Sequence, residues 1–197
     1  MKTKLANYIS DIFNPLTLSI LFVFLLAKDS NENLWEAVKW SLIFITLCML
    51  PIFLVILSMV KRGKLQSVFS NPREQRHVLY VLGSVMVGAG LMVLIFIGAP
   101  DKLIAALFAG FVSSVLFMIV NFFWKISVHT AFASAFSSIA LMLYGYSALG
   151  FMLLVPMMAW ARVYLKEHTV GQVTAGALLA GTVIVTVFNI FNMVNIF

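Results

Sequence analysis

From Trp40 to Val60 the chain carries no charged residue, and from Leu103 to Trp124 it again carries none. Runs of this kind match what an α-helix needs to cross a hydrocarbon layer about 30 Å thick, at about 1.5 Å per residue. A helix satisfies its backbone hydrogen bonds within itself, so lipid can serve as its solvent. With 62% of its 197 residues hydrophobic and only 10% charged, the chain has too little polar surface to wrap a soluble core. The apolar stretches are continuous and do not alternate with a period of two, which argues for helices and against a barrel. The expected fold is therefore all-α: a polytopic membrane helix bundle of about six to seven transmembrane helices in a single domain, 1–197.

In chain order, residues 1–13 read as a short interfacial helix with Leu5, Tyr8, Ile9 and Ile12 at helical spacing. They show no compact apolar core with a small-residue cleavage site, so they are not read as a removed leader. Pro15 suits the first turn of a span reaching about Ala27. A long helix from about Leu34 to Val60 should be kinked by Pro51. Further spans are expected over Val78–Ile97 and Leu103–Phe123. Two short ones follow the interruption WKISVHT (Trp124 to Thr130), and a final helix begins at about Thr169. In that helix Gly176, Ala177, Ala180 and Gly181 would let another helix approach closely.

Counting spans places the N-terminal stretch, the loop Lys61–His77, WKISVHT and the segment around Arg162–His168 on one membrane face. Of the basic residues only Lys28, Lys39 and Lys102 fall on the other. By the positive-inside rule the basic face is cytoplasmic. Orientation and anionic headgroups account for the formal charge of +6, so no nucleic-acid partner is expected. The single cysteine, Cys48, lies in an apolar run and allows no disulfide within the chain.

The stretch WARVYLKEHTVGQV, Trp160 to Val173, concentrates Arg162, Lys166, Glu167 and His168 between apolar runs, where ionisable groups are expensive. His168 and Gln172 are one helical turn apart, so the amide can reach the imidazole. The same membrane face gathers Arg73, Arg76, Lys125, Ser127 and His129. Taken singly, each has a plainer use: a solvated loop end for the two arginines, a snorkelling lysine, a helix N-cap at Ser127, an interfacial histidine. Together, two imidazoles, several fixed cations and a hydroxyl suit a phosphate ester. One imidazole can attack phosphorus while the other protonates the leaving alkoxide. Arginine forks and lysine hold the phosphoryl oxygens. The sequence has no carboxylate cluster of the kind a two-metal phosphatase needs, so no metal and no cofactor are expected.

These residues resemble the type 2 phosphatidic acid phosphatase superfamily of membrane lipid phosphatases. That family's last motif is serine–arginine, five residues, histidine, three residues, aspartate. Ala161-Arg162, then His168, then Gln172 keep its spacing. Its middle motif, proline–serine–glycine–histidine, is similar to Ile126-Ser127-Val128-His129. Its first motif, lysine, six residues, arginine, proline, is absent as such; Arg73 and Arg76 are the stand-ins, with Lys125 supplying the lysine. The departures are Ala161 for serine, Val128 for glycine, Ile126 for proline and Gln172 for aspartate.

The resemblance implies His168 as nucleophile, His129 as general acid, and Gln172 orienting His168. It also implies phosphate binding by Arg162, Ser127, Lys125, Arg73 and Arg76. A membrane lipid phosphate is then the expected substrate, its tail lying between the small-residue helix Ala131–Ala140 and the glycine-bearing last helix. A phosphotransferase using the same phosphohistidine, or a non-catalytic lipid-binding or transport protein with a decayed site, are the alternatives.

Overall fold

The structure, a computed structural model, describes residues 1–193. They form the helices α1 (Lys2–Ile12), α2 (Pro15–Asp29), α3 (Leu34–Phe44), α4 (Leu50–Lys61), α5 (Arg73–Phe96), α6 (Asp101–Phe123), α7 (Val128–Tyr144), α8 (Leu154–Tyr164) and α9 (Val170–Ile190). There is no strand among the described residues. Among the described residues five helical runs are long and apolar enough to cross a membrane, counting the stretch Val128–Tyr164 as one, or six if α1 and α2, bent by 44° between Ile12 and Pro15, also count as one. The fold is a polytopic membrane helix bundle. By internal contacts the chain forms two compact units, one of Met1–Phe22 with Lys125–Phe197 and the other of Val23–Trp124.

In the second unit α3 and α4 make one 28-residue run that buries few side chains, none of them on α4, so this helix gives most of its surface to lipid. Pro51 does not end it. Proline lacks the N–H that would bond the carbonyl four residues back, and its ring crowds that carbonyl. The chain answers with a π-turn, Ile45–Met49, in which the Leu50 N–H reaches back to the Ile45 carbonyl. Gly90 of α5 lies where a Cβ would stand 2.8 Å from Cys48 Sγ, so the cysteine fills the space a larger residue would take. Along α5 and α6, Ser84 and Ser114 share a hydrogen bond at 2.8 Å, Tyr80 meets the Phe117 ring edge-on, and His77 lies 4.5 Å from the Phe122 ring.

In the first unit the chain doubles back after α7. Gly145, at φ 57°, opens a 3₁₀ segment, Gly145–Leu153. That segment lies against α7: Ser137 Oγ donates to the Phe151 carbonyl at 2.7 Å, and the Phe136 and Phe151 rings meet edge-on at 5.4 Å. In one straight helix those positions would stand about 20 Å apart, so α7 and α8 are two arms of a hairpin. The hairpin returns Arg162, near the end of α8, to the level at which α7 begins.

α1 turns most of its bulky stripe outward. Leu5, Tyr8 and Ile12 are all more than half exposed, while Ala6 and Ser10 are buried. For an interfacial helix this follows: the bulky face meets lipid, and the small face is the one that fits closely against protein.

Candidate active site

The site is built at the ends of α7, α8 and α9. α7 is opened by Ser127, whose Oγ accepts from the Thr130 N–H at 3.4 Å, an N-cap that the preceding extended residues WKI make possible. α9 is opened by a capping box: the Thr169 hydroxyl accepts from the Gln172 N–H at 3.3 Å, and Gln172 Oε1 accepts from the Thr169 N–H at 3.1 Å. The two helix starts are tied together. The Ser127 N–H donates to the Gln172 carbonyl at 3.3 Å, and Thr130 Oγ1 donates to the Val173 carbonyl at 3.0 Å. The expected close approach centres on Gly176, where a Cβ would collide with the Ser127 carbonyl oxygen; Gly181 faces Ser134 in the same way at 2.8 Å.

This packing overturns the expectation of a lipid-tail slot between these two helices. The small residues of α7 and α9 are spent on each other. Helices in lipid associate through close packing, and glycine and alanine faces close on one another unless something larger holds them apart.

α8 ends in a turn that sets His168. Lys166 takes the left-handed conformation (φ 58°), and the Arg162 carbonyl then accepts from both the Glu167 N–H (3.1 Å) and the His168 N–H (3.3 Å). Arg162 thus anchors the backbone of the loop that follows it. Arg162 as a residue is only 5% exposed, with Nη1 donating to Ser10 Oγ of α1 at 2.8 Å and Nη2 lying 3.5 Å from Glu167 Oε2. A buried guanidinium needs such partners, since an unpaired charge there would cost several kcal/mol. Lys125 Nζ donates to the Glu167 carbonyl at 3.1 Å, joining the start of α7 to the same loop.

His168 is buried, and its Nδ1 lies 3.1 Å from Gln172 Oε1. The capping box fixes the roles. The atom that accepts the Thr169 N–H must be the amide oxygen, so the ring nitrogen facing it must carry the proton. Nδ1–H therefore donates, and the basic lone pair stands on Nε2. His129, in the first turn of α7, is also buried, beside the fully buried Ser127 and Thr130.

Of the residues singled out in the sequence, Lys125, Ser127, His129, Arg162, His168 and Gln172 all belong to the first unit, at these helix ends. Arg73 and Arg76 belong to the second. Arg73 Nη1 reaches the Phe123 carbonyl at 3.1 Å and the Phe122 carbonyl at 3.4 Å, capping the C-terminus of α6, while its own carbonyl accepts from Asn121 Nδ2 at 3.0 Å. Arg76 Nε donates to the Asn71 carbonyl at 2.9 Å, and the Asn71 amide in turn ties the loop through the backbone N–H groups of Gln66 and Ser67. Two participants escaped the sequence reading. Ser10 carries no local signal, lying 152 residues from its partner Arg162. Glu167 stands in the noted cluster, but nothing in its spacing told that it would face Arg162.

Comparison with family models, curated proteins and solved structures finds no match for this chain. What fold and site define together is a polytopic helical membrane protein holding two imidazoles, a guanidinium and an ammonium at the ends of three packed helices.

Proposed function

We propose that this protein is a metal-independent lipid phosphatase that removes phosphate from a lipid phosphomonoester or diphosphate through a phosphohistidine. The observation that supports it most is the His168–Gln172–Thr169 chain. Gln172 Oε1 accepts the hydrogen bond from Nδ1–H while it is pinned by the Thr169 N–H, which presents Nε2 as a nucleophile of fixed tautomer and direction. Nε2 attacks phosphorus, the ester P–O bond (in a diphosphate, the anhydride P–O bond) breaks, and the leaving alkoxide or phosphate oxygen takes a proton from the His129 imidazolium. His129 then withdraws a proton from water, which attacks the phosphohistidine and breaks its N–P bond, releasing phosphate and restoring both rings. Arg162 and Lys125 supply positive charge for the phosphoryl oxygens, and the Ser127 hydroxyl a further donor. Placement at helix ends suits a headgroup whose tail stays in lipid, and the charge bias supports a cytoplasmic face. Arg73 and Arg76 belong to the second unit and are given no step in this mechanism.

One observation favours a second reading. Arg162 already has Ser10 and Glu167 as partners, as it would in a lipid-binding protein whose site has decayed into a structural tie. Phosphate release from a panel of lipid phosphates in the presence of EDTA separates the two. Release that survives EDTA and vanishes in His168→Ala supports the phosphatase; release indifferent to His168, or dependent on added divalent metal, rejects it. Lipid binding without release by the wild type supports the second reading.

A further inference from the structure

We propose that the crevice between α4 and α5 is a binding site for one anionic phospholipid, separate from the candidate active site and independent of its chemistry. The crevice holds a half-open cavity of about 350 Å³, lined by Val55, Ser58 and Met59 of α4, by Val78 and Leu82 of α5, and by Arg62 and Lys64, which follow the end of α4. α4 is strongly apolar yet buries none of its side chains, so the gap beside it is a place where lipid completes the packing.

The local sequence explains why two cations stand there. α4 ends in a Schellman turn: Gly63, at φ 68°, takes the left-handed position. The Gly63 N–H then bonds the Val60 carbonyl at 3.0 Å, and the Lys64 N–H bonds the Met59 carbonyl at 2.9 Å. Leu65, next in the chain, is buried, and its N–H also reaches the Met59 carbonyl, at 3.3 Å. Folding back this way brings Lys64 to the level of Met59 and sets it beside Arg62, at the end of the membrane run where headgroups lie. Among the described residues neither cation forms an ion pair with a carboxylate. An apolar trough that ends in an arginine and a lysine complements a lipid whose acyl chain enters the trough and whose phosphate meets the two cations. The volume, near the lower end of roughly 300–1,000 Å³ for small-molecule pockets, admits part of one acyl chain and not a whole lipid.

Thermal unfolding of the full chain in detergent, with added phosphatidylglycerol or phosphatidylcholine, tests this. Phosphatidylglycerol should raise Tm saturably, on the order of 5 °C, and phosphatidylcholine should not. Arg62→Gln/Lys64→Gln should lose that increment while keeping the Tm measured in phosphatidylcholine. Leu82→Trp, which fills the trough and leaves the charges, should lose it too. Lys61→Gln, adjacent but outside the trough, should keep it. Equal stabilisation by both lipids, no stabilisation by either, or equal loss in Lys61→Gln (the mark of a general surface potential) would each overturn the proposal.

Discussion

Gln172 Oε1 stands 3.1 Å from His168 Nδ1 and 3.1 Å from the Thr169 N–H, so one side chain both caps α9 and orients the imidazole. The two duties come apart under substitution. Glutamate is the usual partner in a capping box and reaches as far, so Gln172→Glu should keep α9 capped and Tm nearly unchanged. It adds a negative charge beside the ring, raising the basicity of Nε2, and phosphate release should rise. Gln172→Leu removes the side-chain arm of the capping box while Thr169 still caps the helix, at about 0.5–1 kcal/mol, and frees the tautomer, so release should fall roughly a hundredfold or more. Release assays and unfolding curves on both variants check this. An unchanged rate in Gln172→Leu would leave only the cap as its role.

The contact of α7 with α9 should be sensitive at one glycine and tolerant at the next. A Cβ on Gly176 meets the backbone carbonyl of Ser127, which cannot move without displacing the N-cap of α7. Gly176→Ala should therefore destabilise by about 1–3 kcal/mol despite alanine's better helix propensity, and should disturb Ser127 and His129 as well. Gly181→Ala crowds the Ser134 hydroxyl, a single-rotor side chain able to turn away, and meets the Ser138 hydroxyl at an ordinary 3.6 Å. Its Tm should stay within a few degrees of wild type, so a larger loss there than at Gly176 would contradict this packing account.

Much of this architecture is legible in the sequence because lipid makes local chemistry decisive. Uninterrupted apolar runs had to be helices, and Gly176 with Ala180 announced a close approach that is now seen. Thr169 and Gln172 stand three apart, as a capping box requires, and Gln172 was legible as a partner for His168 because it lies four residues further on. What stayed hidden depends on long-range placement. The stripe of α1 predicts amphipathicity but not that its small face, through Ser10, would reach Arg162. Arg73 and Arg76 match a phosphate-binding residue type, but only the fold reveals carbonyl groups beside them. Pro51 signals irregularity without telling that a π-turn would absorb it.

Lys166 sits at φ 58°, a conformation that costs a residue with a Cβ about 1–2 kcal/mol. Glycine relieves that strain but loosens the unfolded chain by roughly 0.4–1 kcal/mol, so Lys166→Gly should leave Tm unchanged or slightly raised. Lys166→Val should be clearly destabilising, because a β-branched residue is an outlier there. The turn carries His168, so in this reading the valine variant should also lower phosphate release at temperatures where it remains folded. Unfolding followed by circular dichroism, with parallel release assays, measures both.

The pairing of Glu167 with Arg162 makes a prediction about substrate affinity. The carboxylate lies 3.5 Å from Nη2, on the guanidinium that the proposed mechanism turns toward phosphate. An incoming phosphoryl group must compete with it, and like charges repel as the substrate enters. Glu167→Gln keeps the shape and removes the charge, so KM for a lipid phosphate should fall several-fold with kcat little changed, the pattern of altered uniform binding. Ser10→Ala acts on the other side of the same guanidinium. It deletes a buried hydrogen bond to a charged group, costing about 1.5–3 kcal/mol of stability, and releases Nη1 from α1. If Arg162 is a phosphate ligand, Ser10→Ala should also raise KM, since the fork is no longer held in place. If Arg162 is only a structural tie, both variants should shift Tm and leave KM where it was. Steady-state kinetics on the two variants, set beside their unfolding curves, therefore separate a working guanidinium from one retained for packing.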